Sequence, residues 1–432
     1  MRILGIGEYG DLGDMYFRLA EAGHEVKVFI EDPDFDDVFG GMLRRTADWQ
    51  LELGWLREAG EQGIALFESA QKGQLQDELR HDGFQVIGGS AYGDRLEAER
   101  EYGQAALRDF GLCTAASHRF RDFAEAAAFI ERNPARYVFK GNGADSPRTR
   151  NYIGQLASGK DMLSLLSLYQ MQWQQPDAPD FVLMDYIDGV EVGVGAYFNG
   201  EEFLDAVCLD WEHKRFFDGE LGELTGEMGT IVTYRGAGRI FEATLARMAP
   251  ALREGGYCGY INLNLMANEN GLWPLEFTSR FGYPGFAICE ALHDEPWDKI
   301  FCRMLRHQSR QMRTRSGFAA GVVLTVPPFP YREGYARLSK GFPICLDEMN
   351  TKDYAALHFA EVARQGSQIV TSGVMGYVGV ATGTGPTVAD AAREAYALAR
   401  KVILPNVRYR TDIGARVMRH DLQRLKDLHL ID

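Results

Sequence analysis

The sequence predicts a multidomain protein that combines α/β and α+β architecture. Its 432 residues exceed what one hydrophobic core usually holds, so we expect about three domains. The N-terminal hundred residues alternate strand-like and helix-like patterns, which is typical of a parallel, Rossmann-like βαβ arrangement. The middle of the chain loses this alternation and reads as α+β, as does the C-terminal part. We place the domains at residues 1–97, 98–317 and 318–432, with a smaller lobe of the second at about residues 118–192.

Composition and charge narrow the function classes. Hydrophobic residues make up 46% of the chain and charged residues 25%, which matches a folded globular protein rather than a disordered one. The net charge of −15 repels phosphate backbones and anionic lipid, so we expect neither nucleic acid nor a membrane as a partner. The six cysteines are scattered without a C-x-x-C pair, and the N-terminal residues lack the apolar core of a signal peptide. The resulting expectation is a cytoplasmic protein that is monomeric or homodimeric.

The N-terminal segment contains a literal G-x-G-x-x-G. Arg2–Ile6 reads as a strand and the next helix ends near Gly23, so the glycines Gly5–Gly10 lie between a strand and a helix. Backbone N–H groups at such a position can approach a phosphate or a carboxylate. The pattern admits NAD, with Asp32 as the ribose ligand, another anionic ligand, or a tight turn without a ligand. Glu8 weakens the NAD interpretation, because it would point a carboxylate toward the anion.

Further along, strand-like runs precede segments that could bind a nucleotide. Tyr137–Lys140 reads as a strand that leads into a glycine-bearing loop. Phe181–Ile187 reads as another strand, and we predict that Val190–Phe198 is its hairpin partner. The segment from Met184 to Glu191 has the form of a hinge that could offer backbone groups to an adenine edge and a carboxylate to ribose hydroxyls.

Two later strands share a polar face. They are joined by the turn at residues 268–271, and alternation puts Asn262 and Asn264 on one face of the first strand. The same alternation puts Glu276, Thr278 and Arg280 on one face of the second. Carboxylate and amide oxygens suit Mg²⁺, which also binds nucleotide phosphates. Arg280 would then neutralise a phosphoryl group during its transfer.

Two further motifs carry a family resemblance. One runs from His213-Lys214-Arg215 through Asp218-Gly219 and Gly222 to Thr225-Gly226-Glu227-Met228-Gly229, and resembles H-K-R-x-x-D-G-D-x-G-x-x-T-G-G-M-G. The other, Tyr409–Gly414, resembles Y-R-R-D-I-G. On these motifs the chain resembles the ATP-grasp superfamily and, within it, the phosphoribosylamine-glycine ligase family of purine biosynthesis, over nearly its whole length. The resemblance implies an N-terminal pre-ATP-grasp domain, a two-lobed ATP-grasp domain and a C-terminal α+β domain.

The resemblance also implies roles for individual residues. ATP would be the cofactor, with Mg²⁺ or Mn²⁺ as the metal, and small-molecule carboxylates and amines would be the substrates. The implied groups are phosphate ligands at Arg100 and Lys140, hinge groups at Asp185 and Ile187, a ribose ligand at Glu191, metal ligands at Asn264, Glu276 and Thr278, catalytic cations at Lys214, Arg215 and Arg280, and substrate contacts at Gly7, Glu8, Gly10, Gly226 and Tyr283.

Departures from the family pattern leave the acid and the amine open. The N-terminal loop lacks the family's Arg-Glu-His element, and the phosphate lid A-A-G-K-G-V aligns with the stiffer, more basic run Asp145–Arg150. Thr278 stands where an Asn is usual, and Tyr283 stands in place of an Asp. We therefore expect an ADP-forming carboxylate-amine ligase that works through an acyl phosphate. The alternatives are an NAD-dependent oxidoreductase and a non-catalytic ATP-binding relative of the ligases.

Overall fold

The N-terminal region folds as a parallel α/β layer. The computed structural model describes residues 1–141, 151–174, 178–306 and 309–432. Its leading elements are β1 (Arg2–Gly7), α1 (Gly13–Glu21), β2 (Glu25–Ile30), α2 (Leu53–Glu58), β3 (Gly63–Phe67), α3 (Gly73–His81) and β4 (Gln85–Ile87). Within the described residues these strands form a parallel sheet in the order β2-β1-β3-β4. The predicted βαβ region is therefore present, and β1 is buried at its centre because apolar residues cover both of its faces.

Two helices connect this layer to a small antiparallel sheet. The helices are α4 (Ala91–Ala98) and α5 (Arg100–Asp109), followed by β5 (Ser117–Phe120), α6 (Phe123–Arg132), β6 (Tyr137–Gly141), β7 (Tyr152–Ile153), α7 (Lys160–Gln172) and β8 (Phe181–Asp185). The described strands pair in the order β5-β8-β6-β7. Helix α6 begins after Asp122, whose side chain accepts a hydrogen bond from the Glu125 amide (2.9 Å). Phe139 and Phe181 stack at 4.9 Å in the core between this sheet and α6 and α7.

A large antiparallel sheet forms the centre of the molecule. Its first strands are β9 (Val190–Asn199), β10 (Phe203–Glu212), β13 (Gly229–Thr233), β14 (Cys258–Asn268) and β15 (Gly271–Thr278). A two-stranded hairpin, β11 (Arg215–Phe217) and β12 (Leu221–Leu224), projects from it. The accompanying helices are α8 (Gly238–Ala243), α9 (Ala249–Glu254), α10 (Gly285–Glu290) and α11 (Trp297–Arg306).

The C-terminal region adds strands to this sheet and forms a smaller one. Its elements are β16 (Phe318–Thr325), α12 (Tyr335–Leu338), β17 (Pro343–Leu346), α13 (Thr351–Ala356), β18 (Leu357–Phe359), β19 (Val362–Gln365), β20 (Gln368–Thr371), β21 (Tyr377–Gly385), α14 (Val388–Ala399), β22 (Val402–Ile403) and α15 (Leu422–Asp427). In the described residues the large sheet has the order β15-β14-β9-β10-β13-β16-β21-β18, and the smaller has the order β19-β20-β17-β22. The predicted multidomain α/β and α+β fold is confirmed.

One strand pairing predicted from the sequence is wrong. Val190–Phe198 is not the hairpin partner of β8, because β8 pairs with β5 and β6 whereas β9 lies between β10 and β14. The nearly continuous burial of β9 reflects this central position. The pairing of β13 with β16, which includes Gly229 and Val322, crosses the boundary placed between residues 317 and 318, and the domain boundaries stay predictions.

A buried ion-pair network joins the N-terminal layer to the C-terminal region. The Asp14 carboxylate in α1 accepts hydrogen bonds from His358 Nδ1 (2.8 Å), from the Phe359 amide (3.0 Å) and from Arg18 Nε (2.5 Å). Asp14 and His358 are each at most 2% exposed. These three hydrogen bonds, one of them from the Arg18 guanidinium, compensate for the burial of the Asp14 carboxylate. No helix in the described residues is long and apolar enough to cross a membrane.

Candidate active site

A cavity of about 1030 Å³ lies where the small sheet, the large sheet and α5 meet. It is large enough for a nucleotide together with a second small molecule. Its lining includes Arg100, Lys140, Asp185, Ile187, Glu191, Lys214, Arg215, Gly226, Asn264, Glu276, Thr278, Arg280 and Tyr283. The structure therefore brings to one cavity 13 of the 16 residues to which the resemblance assigns a role, together with Asn262.

Part of the cavity lining is apolar and includes the hinge after β8. Val138, Met184, Met266 and Leu275 line it beside Ile187. A flat ring such as a nucleobase would be buried well between these side chains.

Hydrogen bonds within the protein already use part of the backbone of the hinge, which limits the groups that it can offer to a ligand. The Asp185 amide already donates to Ala116 O (2.9 Å), so this amide is used by the protein itself. The Arg136 guanidinium lies 3.5 Å from the centre of the Tyr186 ring, which holds the outer edge of the hinge in place.

The predicted polar face exists on β14 and β15. Asn264 pairs directly with Glu276, and Asn262 pairs with Thr278, so all four side chains face the cavity. The Asn264 amide nitrogen donates to Glu191 Oε1 (2.8 Å), and therefore only its oxygen could serve a metal.

Cations surround Glu276. Lys140 Nζ lies 3.2 Å from Glu276 Oε2, and Lys214 Nζ lies 3.4 Å from Glu276 Oε1. Burial lowers the pKa of Lys140, and the charges of Arg100 and Lys214 lower it further while Glu276 opposes them. An incoming polyphosphate would therefore find three positive side chains within one small volume.

Lys214 is held by carboxylates from three strands. Its Nζ lies 3.0 Å from Glu212, 3.2 Å from Glu191 and 3.4 Å from Glu276. Burial alone would lower the pKa of Lys214, but these carboxylates raise it well above its ordinary value. Lys214 is thus a fixed positive charge between Glu191 and the polar face, and Arg215 beside it donates to Gly222 O (2.7 Å).

Arg280 is anchored by a residue that the sequence interpretation did not single out. Its Nε lies 3.2 Å from Glu97 Oε1 in α4, and the Ser279 amide donates to Glu97 Oε2 (2.7 Å). The pKa of Arg280 is raised, chiefly by Glu97. No spacing in the sequence relates Glu97 to Arg280, because only the packing of α4 against β15 brings them together.

The N-terminal glycine loop lies outside the lining of this cavity. Asp11 N donates to Glu68 Oε2 (2.8 Å), and a side chain added at Gly7 would collide with the Glu68 carboxyl group. Glu68 is 2% exposed, and burial together with the charge of Asp11 raises its pKa to about 8. Because Glu68 fills the space beside the loop, the loop's geometry argues against an external anion there. The substrate roles of Gly7, Glu8 and Gly10 stay predictions.

The two family-like motifs are in direct contact. Arg410, 1% exposed, donates to Arg215 O (3.0 Å) and to Glu220 Oε1 (2.8 Å) in the β11–β12 hairpin. Its guanidinium also holds Asp412, whose Oδ2 accepts from the Gly219 amide (2.8 Å). The C-terminal motif therefore fixes the hairpin that forms one wall of the cavity.

His213 takes part in the same contact as a neutral group. Its Nε2 accepts from the Gly414 amide (3.1 Å), and its Nδ1 donates to Gly229 O (3.2 Å). Burial lowers the pKa of His213 to about 3, helped by Arg416 and Arg410. His213 is thus a packing residue that joins the two motifs.

Comparisons with known proteins agree with these contacts. Residues 98–286 match the model of the phosphoribosylglycinamide synthetase ATP-grasp (A) domain. Over this stretch the chain is similar to the ATP-grasp domain of that family. A phosphoribosylamine-glycine ligase of Listeria monocytogenes is 26% identical over 360 residues, which cover 79% of this chain and 80% of the relative. One from Streptococcus suis is 25% identical and covers 97% of this chain and 100% of the relative.

Solved structures show the same fold. The crystal structure of phosphoribosylamine-glycine ligase from Thermotoga maritima superposes with a TM-score of 0.72 at 23% identity and covers 96% of this chain and 100% of that one. A biotin carboxylase from Campylobacter jejuni gives a TM-score of 0.62 at 10% identity, with 96% and 98% covered. The resemblance stated from the motifs is confirmed, as is the class of ATP-dependent ligase that forms a carbon–nitrogen bond.

The similarity to ATP-grasp domains implies use of ATP with a divalent metal, and the donor set of the cavity fits such an ion. Glu276 contributes a carboxylate, while Asn264 and Thr278 contribute neutral oxygens on the same face. Among the described residues no group of three or more His, Cys, Asp or Glu side chains could hold a metal alone. A hard cation bound by one carboxylate and by phosphate oxygens matches this arrangement. The basic lid segment Asp145–Arg150 lies outside the described residues.

Proposed function

We propose that this ATP-grasp chain is an ADP-forming ligase that joins a small carboxylic acid to an amine through an acyl phosphate, with Mg²⁺ as its metal. The observation that carries the proposal is the clustering of Lys140 and Lys214 around Glu276 in the same cavity as the apolar hinge. The two lysines and the Glu276 carboxylate, as a metal ligand, would suit the γ-phosphate of a bound nucleotide. The base of that nucleotide would lie against the hinge.

The two chemical steps need charge neutralisation more than a general base. A carboxylate oxygen of the acid attacks the γ-phosphorus and ADP leaves; the amine nitrogen then attacks the acyl carbon, phosphate leaves and the nitrogen loses a proton. Lys140 and Arg100 would hold the transferred phosphoryl group, and Lys214 would face the acyl phosphate. Bound Mg²⁺ would supply further charge neutralisation on the phosphate oxygens.

The identities of the acid and the amine are part of the proposal, because the comparisons name only what the relatives are. The relatives are named as phosphoribosylamine-glycine ligases, so phosphoribosylamine and glycine are the pair to test first. The Glu68 carboxylate beside the glycine loop and Tyr283 in the cavity wall support a different pair. We further propose that the partners are small molecules and that the protein acts in the cytoplasm as a monomer or a homodimer.

ADP release with a panel of acids and amines tests the function. The purified protein, ATP and Mg²⁺ are incubated with each acid in the presence of hydroxylamine, which traps an acyl phosphate as a hydroxamate. We expect at least one acid to give both hydroxamate and stoichiometric ADP. Tight binding of Mg-ATP without ADP release for any pair would instead identify a non-catalytic ATP-binding protein.

A further inference from the structure

A glutamine in the cavity wall keeps a hydrogen-bond acceptor without a donor. Gln104 lies in α5, is 5% exposed and lines the cavity. Its Oε1 is buried and accepts no hydrogen bond from any described residue. A buried amide oxygen without a donor costs free energy in the unliganded protein. A ligand that supplies an N–H or O–H donor would recover that free energy.

The orientation of the Gln104 amide is fixed by the neighbouring strand. Its Nε2 donates to Leu275 O (2.9 Å) and to Pro274 O (3.4 Å) in β15. Exchanging the amide oxygen and nitrogen would place Oε1 against these two carbonyl oxygens, which accept hydrogen bonds but cannot donate them. The nitrogen is therefore committed to the strand, and the oxygen is the atom left for a ligand.

The surroundings of Gln104 place it beside the apolar part of the cavity. Leu275, whose carbonyl oxygen accepts from Gln104, belongs to the apolar part of the lining together with Val138, Met184 and Met266. This is the part of the cavity that would bury a nucleobase. A lone acceptor among apolar side chains can distinguish bases by the donor that they present, because an unpaired polar group is poorly tolerated there.

Helix α5 offers two different groups to the cavity, about one turn apart. Arg100 and Gln104 are four residues apart, so they lie on the same face of the helix with a rise of about 6 Å between them. Burial lowers the pKa of Arg100 and the Glu276 carboxylate opposes this shift, so Arg100 lies within electrostatic reach of Glu276. The cation and the amide therefore follow each other along the helix as phosphate and base follow each other in a nucleotide.

We propose that Gln104 Oε1 accepts a hydrogen bond from the exocyclic amino group of the nucleobase and thereby selects adenine. The 6-amino group of adenine carries two N–H donors, of which one would satisfy Gln104 Oε1 and the other would be left for the hinge. Guanine and hypoxanthine carry a 6-oxo group, whose lone pairs would face the amide oxygen and leave both acceptors unpaired. This inference rests on the proposed function, because it concerns the nucleotide that the ligase would use.

Binding of matched nucleotides tests the inference. ADP, purine riboside diphosphate, which lacks the amino group, and inosine diphosphate, which carries the oxo group, are each titrated calorimetrically into the protein with Mg²⁺. We expect ADP to bind at least tenfold more tightly than either analogue. Equal affinities for ADP and purine riboside diphosphate would overturn the inference.

Two variants separate the acceptor from the packing role of Gln104. Gln104→Lys keeps N–H donors for the two carbonyl oxygens of β15 but has no acceptor, and Gln104→Met keeps a similar size without either group. Each should reduce the preference for ADP over purine riboside diphosphate about fivefold; the charge added by the lysine acts on the diphosphate that both ligands share and cancels in this ratio. Asp109→Asn, at the exposed end of the same helix, should keep the preference.

Two results with these variants would contradict the base contact. A preference for the amino group that both Gln104 variants keep would overturn the inference. If the variants instead lose the discrimination between ADP and its 2′-deoxy analogue, the donor is a ribose hydroxyl and the assignment to the base is wrong.

The affinity ratio is measured without turnover, which separates this inference from the ligase function. If ADP is preferred through Gln104 but no acid and amine give ADP release from ATP, the base contact stands and the ligase proposal fails. If acids and amines do react, but purine riboside triphosphate supports the reaction with the same kcat/KM as ATP, the ligase proposal stands and the base contact is refuted.

Discussion

The N-terminal glycine loop and the β14–β15 face both carry residue types that bind phosphate or its metal, but their surroundings differ. Glu276 on the β14–β15 face contacts Lys140 and Lys214 inside the cavity. The glycine loop lies against Glu68, a buried carboxylate that accepts a hydrogen bond from the Asp11 amide. A local sequence pattern therefore predicts what a segment could bind. Whether a ligand has the space and the complementary charge to bind there depends on the residues that pack against that segment.

The largest effect is expected at Glu276. Glu276→Gln keeps the size of the side chain but removes the charge that contacts Lys140 and Lys214, so we expect ADP formation to fall about 100-fold or more. Steady-state ADP release measures it, with circular dichroism as a check of folding. Glu269→Gln, at the exposed tip of the same hairpin, is the matched control. Full activity of Glu276→Gln would remove its metal role.

A smaller loss is expected where the C-terminal motif holds the cavity wall. Arg410→Gln breaks the contacts with Arg215 O and Glu220, which lets the β11–β12 hairpin shift and should lower kcat/KM about tenfold. The loss should be larger for kcat/KM of the acid than for the affinity of Mg-ATP, which a general loss of stability would not produce. Arg400→Gln, at an exposed helix end, should match the parent protein.

Ligand protection compares the two regions directly. Mg-ATP at about 100 times its Kd should stabilise the protein by about 2.7 kcal/mol, whereas NAD should give no shift in Tm because Glu68 fills the space beside the glycine loop. A thermal scan with each nucleotide measures both. Stabilisation by NAD without stabilisation by Mg-ATP would reverse the assignment of the two regions.

The smallest effect concerns the pH dependence of stability at Glu68. Its pKa of about 8 in the folded protein exceeds its ordinary value of 4.5, so the folded state holds a proton that the unfolded state releases between these values. The stabilisation of the folded state by the proton on Glu68 is complete below pH 4.5 and is lost as the pH rises toward 8. Glu68→Gln does not titrate, and its Tm relative to the parent protein should rise by a few degrees from pH 5 to pH 8. The exposed Glu61→Gln should give a flat difference; a flat difference for Glu68→Gln would contradict the assigned pKa.

Local sequence patterns were enough to predict the classes of element and the residue types of the polar face. Alternation placed Asn264 and Glu276 on one face because side chains in a strand have a period of two, and the structure pairs them directly. The motifs around Lys214 and Tyr409–Gly414 are long enough to specify a family, which the comparisons confirm.

Which of these groups share a cavity, and which charges neutralise them, depends on how distant segments pack. Glu97 reaches Arg280 and Arg410 reaches the β11–β12 hairpin across about 180 and 195 residues of chain, separations at which no local pattern relates two side chains. The position of β9 between β10 and β14, and the Glu68 carboxylate beside the glycine loop, were likewise outside the reach of the sequence. Strand order and charge balance depend on contacts between distant segments, and those contacts form only when the chain packs.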